Sequence, residues 1–322
     1  MSIRIQLPKH FNFDDLVSEA RAGQFNPEAF VQSVALDMSQ TQFVGIGAAA
    51  CLKALALRYQ DGWPEGECLA MRHGGQDCIS YLRRMDFFAD DIRWCVPEEE
   101  DRQCRHDETG RFVPLQKPLT DQNSATVAKR AVECFEGLDT RIAASLKYAV
   151  SEIIDNALQH AGFRHGAVVG AQAYPNMADR PIDVVVADCG IGIRQHLSQH
   201  PLYRSLTDDA EALRIALTPN VTGVYRHRAA GERPDPQASE NQGIGLSVVD
   251  SLARRNAGRL VLWSGRAIYD SRQGIAPMPM PMAWPGTVVL LRLPTRLKVF
   301  HREVVDEIHA PRATNQKRLG FE

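Results

Sequence analysis

The sequence predicts an α+β protein: a small α/β layer in front, then a two-layer sandwich of mixed sheet and helices. Three observations predict it. Strand and helix patterns alternate over residues 32–90. Further on, β-branched runs such as IDVVVAD fall between helical stretches, and a polar, proline-bearing segment separates the two halves.

In the front half QSVALDM (32–38) reads as a strand and IGAAACLKALALRYQ as a helix of good helix formers. ECLAMR (67–72) reads as a second strand, and the glycine pair after it opens a helix ending near Asp90. PEEEDRQCRHDETGRFVPLQKPLTDQN then carries three prolines and no apolar period. Residues 98–121 are therefore expected to be a linker between a domain at 1–97 and one at 122–296. The second domain opens with helices at 122–136 and 139–161, then strands at 168–174 and 182–188. A helix at 207–217 takes Thr207 as its N-cap, and another covers 246–257. GRLVLWSGRA (258–267) and GTVVLLRLP (286–294) read as antiparallel strands, joined by a long loop that includes PMPMPMAWPG (277–286). A C-terminal helix and polar tail fill 297–322.

Composition excludes several classes. With 44% hydrophobic and 24% charged residues, the chain is not disordered end to end. No run approaches the roughly 20 apolar residues that cross a bilayer, and MSIRIQLPKHFNFDD lacks the pattern of a signal peptide. Net charge of −2 argues against a nucleic-acid coat. The halves differ, however: residues 1–100 carry 9 Lys/Arg against 15 Asp/Glu (−6), and 101–322 carry 28 against 24 (+4). Seven scattered cysteines without a CxxC pair suit reduced thiols and a cytoplasmic setting. Cys95, Cys104 and His106 lack a fourth ligand, so zinc is not expected.

Four motifs carry chemistry. Glu152 and Asn156 in SEIIDNALQHAG are four apart, so a helix projects both from one face. A carboxylate there suits a general base, and an amide oxygen suits Mg²⁺. In VVVADCGIGI an apolar strand delivers Asp188 at its end, followed by Gly190 and Gly192, which let backbone approach a ligand. Gly243 and Gly245 precede Leu246 and a helix whose free N–H groups favour an anion. Thr287, after Gly286, places a hydroxyl at the start of a strand. Each alone reads equally well as a turn or a solvated face.

Their common order resembles the GHKL ATPase superfamily of gyrase B, heat-shock chaperone, histidine kinases and MutL. Glu152 and Asn156 match its N box, and Asp188, Gly190 and Gly192 its adenine-binding box. Gly243, Gly245 and Leu246 match its lid-end glycine box, and Gly286-Thr287 its final strand. The resemblance implies a Bergerat fold with ATP and Mg²⁺ as cofactors. It gives Glu152 the role of base, Asn156 the metal, and Asp188 the adenine amino group. A lid of about fifty residues (193–242) follows from the same resemblance, with Arg226, Arg228 and Arg233 in reach of phosphates. NALQHA also resembles the anti-sigma-factor serine kinases, with His160 in the place of that branch's motif histidine and given no catalytic role. No histidine lies between Asp107 and Gln159, which argues against cis autophosphorylation of the histidine-kinase kind.

LDMSQTQFVGIGAAACLKAL resembles the core of STAS domains, but Val44-Gly45-Ile46-Gly47-Ala48 holds no phosphorylatable hydroxyl. The resemblance therefore implies docking of a protein partner, or self-association, rather than a phosphorylation switch. Together the motifs lead to a slow Mg-dependent ATPase with lid closure as a switch. A serine/threonine kinase acting on a separate STAS protein and a non-hydrolysing nucleotide sensor are the alternatives.

Overall fold

The structure, a computed structural model, describes residues 3–32, 34–64, 69–73, 76–89, 92–95, 111–116, 121–133, 138–160, 166–219 and 243–310. The front half runs β1 (Ile3–Gln6), β2 (His10–Phe11), α1 (Phe13–Arg21), β3 (Val34–Met38), β4 (Phe43–Val44) and α2 (Ile46–Tyr59). It continues with β5 (Leu69–His73), α3 (Gln76–Arg84) and β6 (Trp94–Cys95). β1, β3, β5 and β6 form one parallel sheet in that order. The alternation expected from sequence is present, with a further strand and helix before it. α1 begins at a reciprocal cap: Asn12 accepts from the N–H groups of Asp14 and Asp15, and the Asp15 carboxylate accepts from Asn12 N–H. α3 stops at Arg84, short of Asp90, because Asp86 takes a positive φ of 51° and sends Met85 and Phe87 into the core.

The second half runs β7 (Phe112–Gln116), α4 (Asp121–Glu133), α5 (Thr140–His160), β8 (Ala167–Ala173), β9 (Ile182–Asp188), α6 (Gly192–Ser198) and α7 (Asp209–Ala216). Then come α8 (Gly245–Arg255), β10 (Arg259–Gly265), β11 (Ala267–Asp270), β12 (Gly274–Pro277), β13 (Trp284–Leu293) and α9 (His301–His309). The sheet order is β12-β11-β10-β13-β9-β8-β7.

This half corrects the sequence reading in four places. Its sheet is antiparallel at every pair, not mixed. The expected linker 98–121 contains β7, an edge strand with Phe112, Val113 and Leu115 buried. Pro114 hides it in the sequence: proline cannot donate to a ladder, and the β7–β8 register shifts between Val113 and Gln116. The long loop before β13 contains the β11–β12 hairpin, whose four-residue strands are too short to show a period. The α7 cap is Asp208, not Thr207; its carboxylate accepts from Ala210 N–H at 2.7 Å.

Both faces of the large sheet are covered. On β9, Val184 and Val186 join the core formed with α4, α5 and α8, while Val185 and Ala187 join the core of the front half. α2 lies directly on β8 and β9. Its residues from Ile46 to Leu57 are all buried, apolar but for Lys53, whose ammonium donates to the Asp86 carbonyl. Small residues permit the close approach: a Cβ on Gly170 would stand 2.8 Å from both Ile46 Cδ1 and Leu115 Cδ2. The two halves thus share one core. Among the described residues no helix is long and apolar enough to cross a membrane.

Candidate functional site

One row of polar side chains crosses the sheet on the α5/α8 face. Ser264 on β10 pairs with Thr287 on β13, and Thr287 pairs with Asp188 at the end of β9. Asp188 is 2% exposed, and its Oδ1 accepts from Gly190 N–H at 2.8 Å. The backbone of Thr287 adds a second hydrogen bond. Burial pushes the Asp188 carboxyl up to about 7, against the pull of these two N–H groups and, less, of the Arg58 charge. A carboxylate offers about four lone-pair sites, so acceptor capacity remains for a ligand donor.

Glycines make the space around it. A Cβ on Gly286 would stand 2.5 Å from the Asp188 carbonyl oxygen, from its Oδ1 and from Gly190 N. Gly192 adopts φ 73°, and a Cβ there would meet Ser264 Oγ at 3.0 Å and Gly286 O at 3.1 Å. Ser264 holds the turn: its hydroxyl donates to Gly286 O at 2.8 Å and accepts from Ile193 N–H at 2.9 Å. Its single proton being used, the 3.2 Å contact with Thr287 Oγ1 takes its proton from Thr287. Trp284 Nε1 donates to the Asp188 carbonyl at 2.8 Å. Ser264 escapes a sequence reading because it lies within an apolar strand run, and Trp284 because it falls in the proline- and methionine-rich stretch read as a loop.

A second group forms where α5 meets α8. Glu152 is half-buried, and its Oε2 lies 1.8 Å from where a Cβ on Gly245 would stand. Only glycine at 245 admits the carboxylate there. An acidic group at a helix N-terminus meets the positive end of the helix dipole, and the N-cap residue Ile244 supplies no side-chain hydrogen bond. Gly243 has φ 88°, and Leu246 is partly buried against the helical core. Burial raises the Glu152 pKa; Tyr148 opposes the rise and Asp155 adds to it. Asn156 follows one turn later, half-buried.

α5 packs against β9, α6 and α8, so both groups adjoin the same helix. Asp188, Gly190, Gly192 and Thr287 come together in the first group, and Glu152 and Gly245 in the second. Arg226, Arg228, Arg233 and the side chain of His160 lie outside the described residues. Among the described residues, no three His, Cys, Asp or Glu side chains gather as a metal site. A cavity of about 460 Å³ lies at the far end of α8, lined by Arg254, Ala257, Gly258, Ser271 and Arg272. Arg254 is bound to Asp250 and Tyr269, and Arg272 to the carbonyls of Gly258 and Ala257. It belongs to neither group.

No family model, curated protein or solved structure matches the chain.

Proposed function

We propose that the second half of the chain binds ATP with Mg²⁺ and hydrolyses it slowly, Asp188 reading the adenine amino group. The observation that carries this reading is a buried carboxylate held only by backbone N–H groups, in a cradle that a Cβ at 286 would fill. A carboxylate hydrogen-bonded by backbone N–H groups alone, with the Arg58 charge acting on it as a weaker pull, keeps spare acceptor sites that fit an exocyclic amino donor. Glu152, half-buried beside the first residue of α8, is the base for an attacking water, and its raised pKa suits that task. Asn156 supplies one hard oxygen. Mg²⁺ commonly takes only one or two protein oxygens and completes its shell with phosphate and water, so a single amide fits. Bound there, the ion would supply charge neutralisation on the phosphates.

α2, the core helix of the STAS-like half, is buried against the chain's own sheet, so docking of a protein partner falls to other faces. The switch part of the proposal is closure over bound nucleotide, read as self-association that differs between ADP and a non-hydrolysable ATP analogue.

The test is a titration of purified protein with ATP and GTP in Mg²⁺, followed by release of free phosphate. ATP should bind at least about tenfold more tightly than GTP, whose carbonyl replaces the amino donor. Glu152→Ala should keep ATP affinity and lose about 10²–10⁴ in hydrolysis rate. Equal affinity for the two nucleotides sinks the assignment of Asp188. Label appearing on an added STAS protein, instead of free phosphate, makes the acceptor a protein hydroxyl.

A further inference from the structure

Tyr148 stands one turn before Glu152 on α5. Its ring stacks on His301 at the start of α9, with 5.0 Å between centroids and 20° between planes. His301 is itself fixed: its Nδ1 lies 3.0 Å from the Ser145 hydroxyl, whose oxygen accepts from the His301 backbone N–H at 3.2 Å. Behind the ring, Val304 of α9 packs with Ile244 and Val248 at the start of α8. The Tyr148 ring is therefore held from three helices. Its hydroxyl is not. That oxygen is buried and has no hydrogen-bond partner among the described residues.

A buried hydroxyl without a partner costs free energy that a phenylalanine would avoid. Glu152, one turn on, is the group it acts on: against the rise from burial, the hydroxyl pulls the carboxyl's pKa down from close by, without a hydrogen bond of normal geometry between them. In this structure, however, the Glu152 carboxylate is drawn over Gly245. There it occupies a place that the positive end of α8 offers to an anion.

We infer that Tyr148 is the positioning residue for Glu152: when a phosphate takes the place over Gly245, the Tyr148 hydroxyl receives the displaced carboxylate. The inference rests on the ATP reading given above. Without nucleotide, Glu152 stands in for the phosphate at α8 and leaves the tyrosine unpaired. With nucleotide, the phosphate meets the helix end and the carboxylate meets the hydroxyl, so both polar groups are satisfied. The base then reaches its hydrogen-bonded position only when phosphate is present. α9 is part of this device, because His301 sets the tyrosine ring.

Tyr148→Phe removes the hydroxyl and keeps the stack on His301. Its kcat for ATP hydrolysis should fall on the order of tenfold, and Kd for ATP should rise by roughly three- to tenfold, because the hydroxyl–carboxylate bond is made only in the bound state. The nucleotide-free Tm should be equal or higher. In a Glu152→Ala background the same substitution should leave the residual kcat unaltered, since no carboxylate remains to be held. An unchanged kcat in Tyr148→Phe overturns the inference. Equal fold losses in both backgrounds overturn it too, as does a lower nucleotide-free Tm, which marks a packing residue. Wild-type protein that binds no ATP ends the functional reading first, before any variant is measured, and this inference with it.

Discussion

β9 carries two buried aspartates, Asp183 and Asp188, which lie on opposite faces of the same sheet and live in opposite surroundings. Asp183 belongs to a cross-strand row of Arg259, Arg292, Asp183 and Gln172 facing the front half. Arg292 donates to it through Nε and Nη2, both at 2.6 Å. The row is tied to the front half at each end: Arg259 bonds Asp14 of α1 at 2.8 Å, and Tyr81 of α3 donates to Gln172 at 2.7 Å. Burial pushes the Asp183 carboxyl up, and the Arg292 guanidinium pulls it back. Asp188, in the row of Ser264 and Thr287, has only backbone donors. Five residues along a strand are about 17 Å, and an odd step changes face. One row is closed by its own charges and joins two halves of the protein; the other keeps acceptor capacity. Saturation marks Asp183 as a structural carboxylate, and the spare capacity of Asp188 is what the proposed nucleotide reading uses.

The largest effect expected from this contrast is on stability. Asp183→Ala leaves Arg292 without its partner in a mostly buried row. That should cost about 2–3 kcal/mol, a third of the arginine side chain being solvated already. Denaturant unfolding should show a lower midpoint at unchanged slope, with the ATP-over-GTP preference intact. A loss below about 0.5 kcal/mol would show that the row does not clamp the halves together.

Asp188→Asn should do the reverse. On the proposed reading, nucleotide affinity should fall ten- to a hundredfold, about 1–3 kcal/mol, because an amide donor would face the base donor. Stability should hold or rise, and its pH dependence sharpens the point. Burial lifts the Asp188 carboxyl from 3.8 to about 7, so the folded state keeps a proton that the unfolded state has released. Its contribution is a cost, absent below pH about 4 and complete above about 7. The variant's advantage over wild type should therefore grow between pH 5 and pH 8, on the order of 1–3 kcal/mol. A pH-independent difference in melting would place the Asp188 carboxyl in the ordinary range.

The smallest effect is expected at the solvated end of the clamp. Asp14 is 57% exposed in its pair with Arg259, so Asp14→Ala should cost below about 1 kcal/mol and less still at high salt. A cost near that of Asp183→Ala would make α1, rather than α2, the main anchor of the front half.

Much of this was legible from residues alone. IDVVVAD marked a buried strand ending on an aspartate, and the glycines at 190, 192, 243 and 245 marked places where backbone must come close. The spacing of Glu152 and Asn156 put them on one helical face, which the 21 residues of α5 bear out. Those features are local: the period of a strand or helix and the φ freedom of glycine act within a few residues. The tertiary structure decided the rest. Nothing in FVPLQ says that it closes the edge of a sheet, since a proline-bearing strand shows itself only when β8 is beside it. The apolar run of α2 signalled burial, but not that the second face of its surroundings would be the Gly170 side of the large sheet. Ser264 meets Gly286 across 22 residues, and Ser145 meets His301 across 156. Contacts between distant segments are set by which sheet register and which helix packing bury the most surface at once, a choice made by the whole chain and by no single stretch of it.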